Sequence, residues 1–387
     1  MADTILILGN GFDLSMGRKT SYSDFVEFAN NLFPITDIQL KKFLDENNIN
    51  IEEYRDNFYL RFINENRTTL GENWCNLEIM ISQLAEAIFY FKKNKEELLR
   101  AIEEIESGYP IEYPEHEVVF WNIFSDTENY LAKEFIAWTF FELYLQEGWE
   151  ERDVNYSIDK FNEEFINQLE LLTELLEIYL SYSDYIDFEI DKISPVETAL
   201  NAITDISESY VISFNYTHTP YKLYRIPIEN THYIHGEIDL SRHKSEINTM
   251  VFGIEDKEID VNSSLIPYQK YYQRIVKETG SEYLDFLKPR HAEDLYGGLK
   301  KKNIIVFGHS VDPLDKEIFQ NCFALTSHYT YNYRFIFTYY NESAKRSIVK
   351  NLAIILGKDK LVELTGNKNV VFVKSGDVDG MKEVLLD

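Results

Sequence analysis

The sequence predicts an α/β fold: a Rossmann-like, mostly parallel sheet flanked by helices, with a large inserted α-helical region. Two features lead there. The apolar, β-branched run Thr4–Leu8 stops on Gly9-Asn10-Gly11, as a strand buried on both faces does when it enters a tight turn. Toward the other end of the chain, strand and helix signals alternate, the signature of parallel strands joined by helical crossovers. Helical spacing dominates the stretch between them.

The opening is strand, glycine turn, loop, helix. Ser21-x-x-Asp24 offers a capping-box-like start before Phe25-Val26-x-Phe28-Ala29, and Pro34 marks a stop. Trp74, Leu77, Ile81, Leu84, Ile88 and Phe91 then recur at spacings of three and four, as do Phe161, Phe165, Leu169, Leu172 and Leu176. Short strands follow at Tyr210–Phe214, Thr231–His235 and Thr249–Gly253. After them come the strand Ile304–Phe307, a helix over Leu314–Phe323 and the strand Arg334–Phe337. A helix over Ala344–Leu356, ended by Gly357, and the strand Val370–Val373 complete the pattern. The simplest assembly joins residues 1–36 and 205–387 in one α/β domain and treats 37–204 as a helical insertion. Acidic clusters such as Glu96-Glu97, Glu103-Glu104 and Glu150-Glu151 read as solvated helix faces.

Composition narrows the function classes. The 387 residues include 26 Phe and 27 Tyr, enough apolar volume for a packed core, so fibres and free tails are excluded. With 66 acidic against 38 basic side chains the formal charge is −28, which repels a phosphate backbone and argues against non-specific nucleic-acid binding. A local pocket for a small anion is still allowed, because screening limits the reach of distant charge. Cys75 and Cys322 lack a CxxC spacing, so neither a disulfide framework nor a thiolate zinc site is expected. No stretch has the roughly 20 apolar residues that cross a bilayer, and no signal-peptide pattern precedes Thr4, so a cytoplasmic protein is expected.

The residues suited to chemistry cluster at expected strand ends. Gly9-Asn10-Gly11-Phe12-Asp13 follows the first strand, where a backbone without Cβ atoms lets a phosphate or ribose approach amide donors. It is neither GxGxxG nor a Walker loop, and an ordinary left-handed turn explains the glycines equally well. Asn215, in Ser213-Phe214-Asn215-Tyr216-Thr217-His218, lies where open α/β sheets place ligands and can orient a hydroxyl or a water; a turn-forming Asn is the plainer alternative. His235, before Gly236, is a titratable group beside a flexible backbone, suited to general-base work. His232 shares its strand face, yet no acid at ligand spacing completes a metal site.

Phe307-Gly308-His309-Ser310-Val311-Asp312-Pro313-Leu314-Asp315 repeats the strand, glycine turn and helix start. Ser310 or Asp312 suits the cap, and Asp315 the first helical turn. The final Gly of a G-x-S-x-G elbow is Asp312 here, which discounts a serine hydrolase. Trp74-Cys75-Asn76-Leu77-Glu78 puts Glu78 at a helix opening. Lys270, Arg274, Lys277, Lys288 and Arg290 form a locally basic stretch that surface acids are expected to pair. A nuclease or phosphoesterase finds no clustered carboxylates at metal spacing.

Taken in order, these pieces resemble the AbiH family of bacterial phage-abortive-infection proteins. The resemblance rests on Ile7–Asp13 with Thr20–Phe25, Trp74-x-x-Leu77-Glu78, Phe214–Thr217, Ile234-His235-Gly236 and Phe307–Ser310 with Asp315, and it runs from the first strand to past residue 320. More distantly, Gly9-x-Gly11 with Gly17, Asn215, His235 and Gly308-x-Ser310 resemble the ordered motifs of sirtuin-like NAD-consuming defence domains. The chain departs from that pattern at Asn10, at Thr217 where an acid is expected, and in lacking the cysteines of a zinc ribbon.

The resemblance implies an abortive-infection effector that hydrolyses the nicotinamide–ribose bond of NAD, with Asn215 and His235 catalytic. Gly9, Asn10, Gly11, Phe12, Asp13, Gly308, His309, Ser310 and Asp315 would hold the nucleotide, and no metal or further cofactor is implied. The alternative is a module that senses a nucleotide or binds a partner without hydrolysis, a reading that Thr217 favours. A phage-derived trigger or companion defence protein and a homo-oligomer are the implied partners.

Overall fold

The computed structural model describes residues 4–70, 76–99, 128–144, 151–242, 246–256, 263–288, 302–328 and 333–386. Among them a six-stranded sheet is formed by β1 (Thr4–Leu8), β2 (Tyr210–Ser213), β3 (Thr231–Tyr233), β4 (Lys302–Phe307), β5 (Tyr333–Tyr339) and β6 (Val370–Lys374). The spatial order is β3-β2-β1-β4-β5-β6 and every neighbouring pair is parallel. This is the order of the doubly wound Rossmann sheet, and the α/β class read from the sequence is the one observed.

Period-two alternation explains how the sheet buries both faces. Ile5 and Ile7 of β1, Ile304 and Val306 of β4, and Phe335 and Phe337 of β5 join one core, with Phe319 and Leu352 from the helices Lys316–His328 and Glu342–Leu356. Leu6, Leu8, Ile305, Phe307 and Ile336 face the other, against Met16, Leu200 and Met381. In register, Leu8 sits between Ser213 of β2 and Phe307 of β4, so the turns leaving three strands open at the same end.

The chain divides into two compact units. One comprises residues 1–25, 177–250 and 277–387 and contains the sheet; the other comprises 26–176 and 251–276. These bounds differ from the 37–204 span read from periodicity, because one helix, Glu151–Asp184, runs unbroken through residue 176 and its last turns pack with the sheet unit. The helical unit has an aromatic core in which Phe161 packs edge-on against Phe140 and Phe165, while Phe62 meets Phe135. Its helices begin on caps: Asp37 accepts the amides of Gln39 and Leu40, and Asn76 accepts that of Ile79. In the sheet unit, Ser21 and Asp24 form the reciprocal capping box that opens Tyr22–Asn30.

One expected strand is absent. Met250–Gly253 is buried, but Thr249–Gly253 is unpaired as a strand, and only the next residue, Ile254, makes an isolated bridge, with Gln269. Side chains take the place of a neighbouring strand: Phe252 exchanges both backbone bonds with the Gln273 carboxamide. The Met250 amide donates to Asn248, and its carbonyl accepts the Lys277 ammonium at 2.8 Å. Apolar periodicity alone does not distinguish such a segment from a ladder strand.

Candidate functional site

The turns after β1, β2, β3 and β4 converge at the carboxyl ends of the strands, and β1 and β4 flank the point where the chain's winding reverses. Such a point is where open α/β sheets hold ligands. Most of the residues expected in the site are drawn together there.

The first and fourth turns cross at van der Waals contact. The Gly11 amide donates to the Gly308 carbonyl at 2.8 Å, the Gly9 amide to Phe307 at 3.1 Å, and the Phe12 amide to Gly9 at 2.8 Å. A Cβ on Gly9 or Gly11 would lie 2.8 Å from the Gly308 backbone, and one on Gly308, whose φ is +69°, would lie 2.1 Å from the Phe12 nitrogen. The three glycines are thus required by backbone crossing backbone, and the amides of Gly9, Gly11 and Phe12 end on carbonyls of the chain. Asn10 is exposed, with its carboxamide bonded twice to Thr20.

Asn215 leaves β2 buried, and its Nδ2 donates to the Gly9 carbonyl at 3.1 Å. His235 follows β3, whose pairing continues through the Ile234 amide to Ser213 at 2.9 Å. The next residue must be Gly236, with φ +75° and the Thr249 carbonyl 2.0 Å from any added Cβ. His235 Nε2 meets Asp315 Oδ1 at 3.2 Å, and His309 Nε2 lies 3.6 Å from Asp315 Oδ2. Phe214 packs edge-on against both imidazoles, with ring centroids 5.6 Å from His235 and 4.2 Å from His309, and stacks on Phe319. Asn215, His235 and His309 are only 7%, 5% and 8% exposed. The constellation is assembled and closed over, with Ser310 exposed at its rim. Asp312, not Ser310, caps the following turn, accepting the Leu314 amide.

Asp13 is placed differently from a nucleotide contact. It is fully buried, accepts the Thr217 hydroxyl, and lies 3.7 Å from Arg18. Arg18 in turn bonds Thr219, Asp184 and Asp187, the last at 2.7 Å. Burial raises the Asp13 and Asp184 carboxyls above their ordinary range, against the opposing pull of Arg18. Burial also works against the Arg18 charge, but Asp184, Asp13 and Asp187 together hold its pKa above the usual value. Thr217 therefore holds an acid supplied by the first turn. The sequence reading missed Arg18, whose carboxylate partners at 184 and 187 lie too far along the chain to leave a spacing signal.

Several of the remaining candidates have ion-pair partners of their own. His232 pairs with Glu282 at 3.0 Å, and burial lowers its pKa. Lys270 is buried, not on the surface as expected, and meets Glu78 at 3.1 Å. Arg274 pairs with Asp256 and Lys288 with Asp285. Trp74, Cys75 and Arg290 lie outside the described residues. Among the described residues, no three His, Cys, Asp or Glu side chains are grouped to hold a metal ion, and no helix is long and apolar enough to cross a membrane.

No curated protein and no solved structure matches the chain. A family model described as bacteriophage abortive infection AbiH matches residues 5–339 of the 387. The chain belongs to the AbiH family, and with it to the proteins of phage abortive infection.

Proposed function

We propose that this abortive-infection protein acts by hydrolysing NAD at the carboxyl ends of the sheet strands, beside the turns that leave β2 and β3. The observation that carries the reading is that two adjacent strands end in an amide and an acid-paired imidazole, Asn215 bonded to the Gly9 turn and His235 to Asp315. Cleavage of the nicotinamide–ribose bond passes through an oxocarbenium-like state, so it calls for orientation, shielding and a base, and for no metal. Asn215 orients the attacking water or a ribose hydroxyl. As the C1′–N bond breaks, its electron pair leaves with nicotinamide; water oxygen bonds C1′ and His235 takes the water's proton. Ser310 at the open rim meets a phosphate or ribose hydroxyl. The low exposure of the central side chains fits an effector whose site opens only on infection.

A second reading, a nucleotide sensor without hydrolysis, is favoured by Thr217, which is engaged with buried Asp13 and offers the site no carboxylate two residues after Asn215. Cells expressing wild type, Asn215→Ala or His235→Ala, challenged with phage, decide between them. NAD loss with nicotinamide release in wild type, absent in both variants, is the outcome hydrolysis requires. Calorimetric binding of NAD with no nicotinamide at any stage would replace it with the sensor. Turnover like wild type in both variants would remove these residues from the chemistry.

A further inference from the structure

We propose that Asp315, backed by His309, is a positioning residue that fixes the tautomer of His235, with the proton on Nε2 and the lone pair on Nδ1. The proposal rests on the reading of His235 as the acting base, but its geometry stands on its own.

Val311 has a φ of +56°, a left-handed conformation that strains a β-branched residue, and its side chain is fully buried in the sheet's core. That backbone aims the Val311 amide at His309 Nδ1, 2.8 Å away. A ring nitrogen that accepts a hydrogen bond carries no proton, so His309 is neutral with its proton on Nε2. Its Nε2 faces Asp315 Oδ2 at 3.6 Å, while Oδ1 of the same carboxylate lies 3.2 Å from His235 Nε2. An ionised carboxylate only accepts, so His235 must donate from Nε2. The strained Val311 thus sets one imidazole, and the shared acid sets the other. Phe214, in edge contact with both rings, holds their planes.

Asp315→Asn turns this chain of constraints into a test. His309, locked with its proton on Nε2, calls for the amide oxygen on its side, which turns the NH2 group toward His235. A donor facing Nε2 forces the His235 proton to Nδ1, the tautomer reversal that costs about 10⁴-fold in turnover when a Ser-His-Asp triad loses its acid to an amide. Adding His309→Phe removes the demand on the amide's orientation, so the double variant recovers the Nε2–H form at His235. Imidazole ¹⁵N shifts of the full chain, recorded where histidine is neutral, read both states directly.

The expected results are Nε2–H at His235 and His309 in wild type, Nδ1–H at His235 in Asp315→Asn, and return toward Nε2–H in the double variant. A wild-type spectrum with the His235 proton on Nδ1 overturns the proposal without any variant, as does an unchanged His235 in Asp315→Asn. The acid's other role, in the first turn of a helix, affects stability but not the tautomer. If the tautomers behave as stated and NAD is never consumed, the positioning holds and the assigned reaction fails.

Discussion

Asn215 Nδ2 and the Gly9 carbonyl lie 3.1 Å apart, a buried bond that ties the turn leaving β2 to the turn leaving β1. The Gly9 carbonyl also accepts the Phe12 amide, so it keeps a partner if the carboxamide is lost. Asn215→Ala is expected to cost about 1 kcal/mol, the net worth of one buried hydrogen bond. Asn215→Asp sets a buried carboxylate oxygen against that carbonyl and is expected to cost about 3 kcal/mol. Urea unfolding ranks the two; an Asp variant as stable as the Ala variant would show that this contact does not hold the turns together.

Gly308 has two independent reasons to be glycine, its φ of +69° and the Phe12 nitrogen 2.1 Å from any added Cβ. Gly17 has only the first, with φ +80° and nothing within 4 Å. Gly17→Ala is expected to cost about 1–2 kcal/mol, the left-handed penalty alone. Gly308→Ala must also push the two turns apart, and we expect loss of the folded state at ordinary temperature. Thermal unfolding of the pair measures the crossing; similar midpoints would mean that the turns separate easily.

At Val311 the usual ranking of substitutions should invert. Val311→Ala loses buried methyl groups and keeps the strain, whereas Val311→Gly loses slightly more surface but relieves a left-handed backbone penalty of about 1–2 kcal/mol. The Gly variant is therefore expected to be the more stable of the two by about 1 kcal/mol. Chemical denaturation giving Ala the higher stability would mean that the φ of +56° carries no strain.

The Arg18 cluster gives stability a definite pH dependence. Burial raises the carboxyl pKa values of Asp13 and Asp184 above the ordinary value of 3.8, so the folded state binds protons more readily than the unfolded chain. Their contribution therefore declines as pH rises from 3.8 through the raised folded values. Asp13→Asn keeps an acceptor for the Thr217 hydroxyl and abolishes one titration. As pH rises above 3.8, the fall in the urea midpoint should be smaller in this variant than in wild type. Equal falls would show that Asp13 does not bind a proton in the folded protein.

The sheet and the meeting of its strand-end turns were legible because both depend on short-range pattern. Apolar runs ending in Gly9, Asn215 and Gly308 mark buried strands, and a parallel sheet places such ends together whatever the loops contain. What the glycines are for was not legible: closeness to a phosphate and closeness to another turn both require a missing Cβ, and only the crossing at Gly308 separates them. The partners of Asp13 were not legible for a related reason. A short acid after a glycine turn suits a ribose hydroxyl, but beside the nearby Arg18 its partners are Thr217 and Thr219, from a segment some two hundred residues away. Thr249–Gly253 read as a strand because its backbone is buried, and the side chains of Asn248, Gln273 and Lys277 that satisfy it leave no periodic trace.

The sheet order bears on biosynthesis. β1 has no partner in its own neighbourhood: Ile5 aligns with Tyr210 on one side and with Ile304 on the other. At ribosomal rates of about 5–20 residues per second, the strand emerges roughly ten to forty seconds before its first partner. A sticky, β-branched pentapeptide must wait through that interval while the helices between are made. Chaperone demand on the nascent polypeptide should accordingly concentrate on this strand.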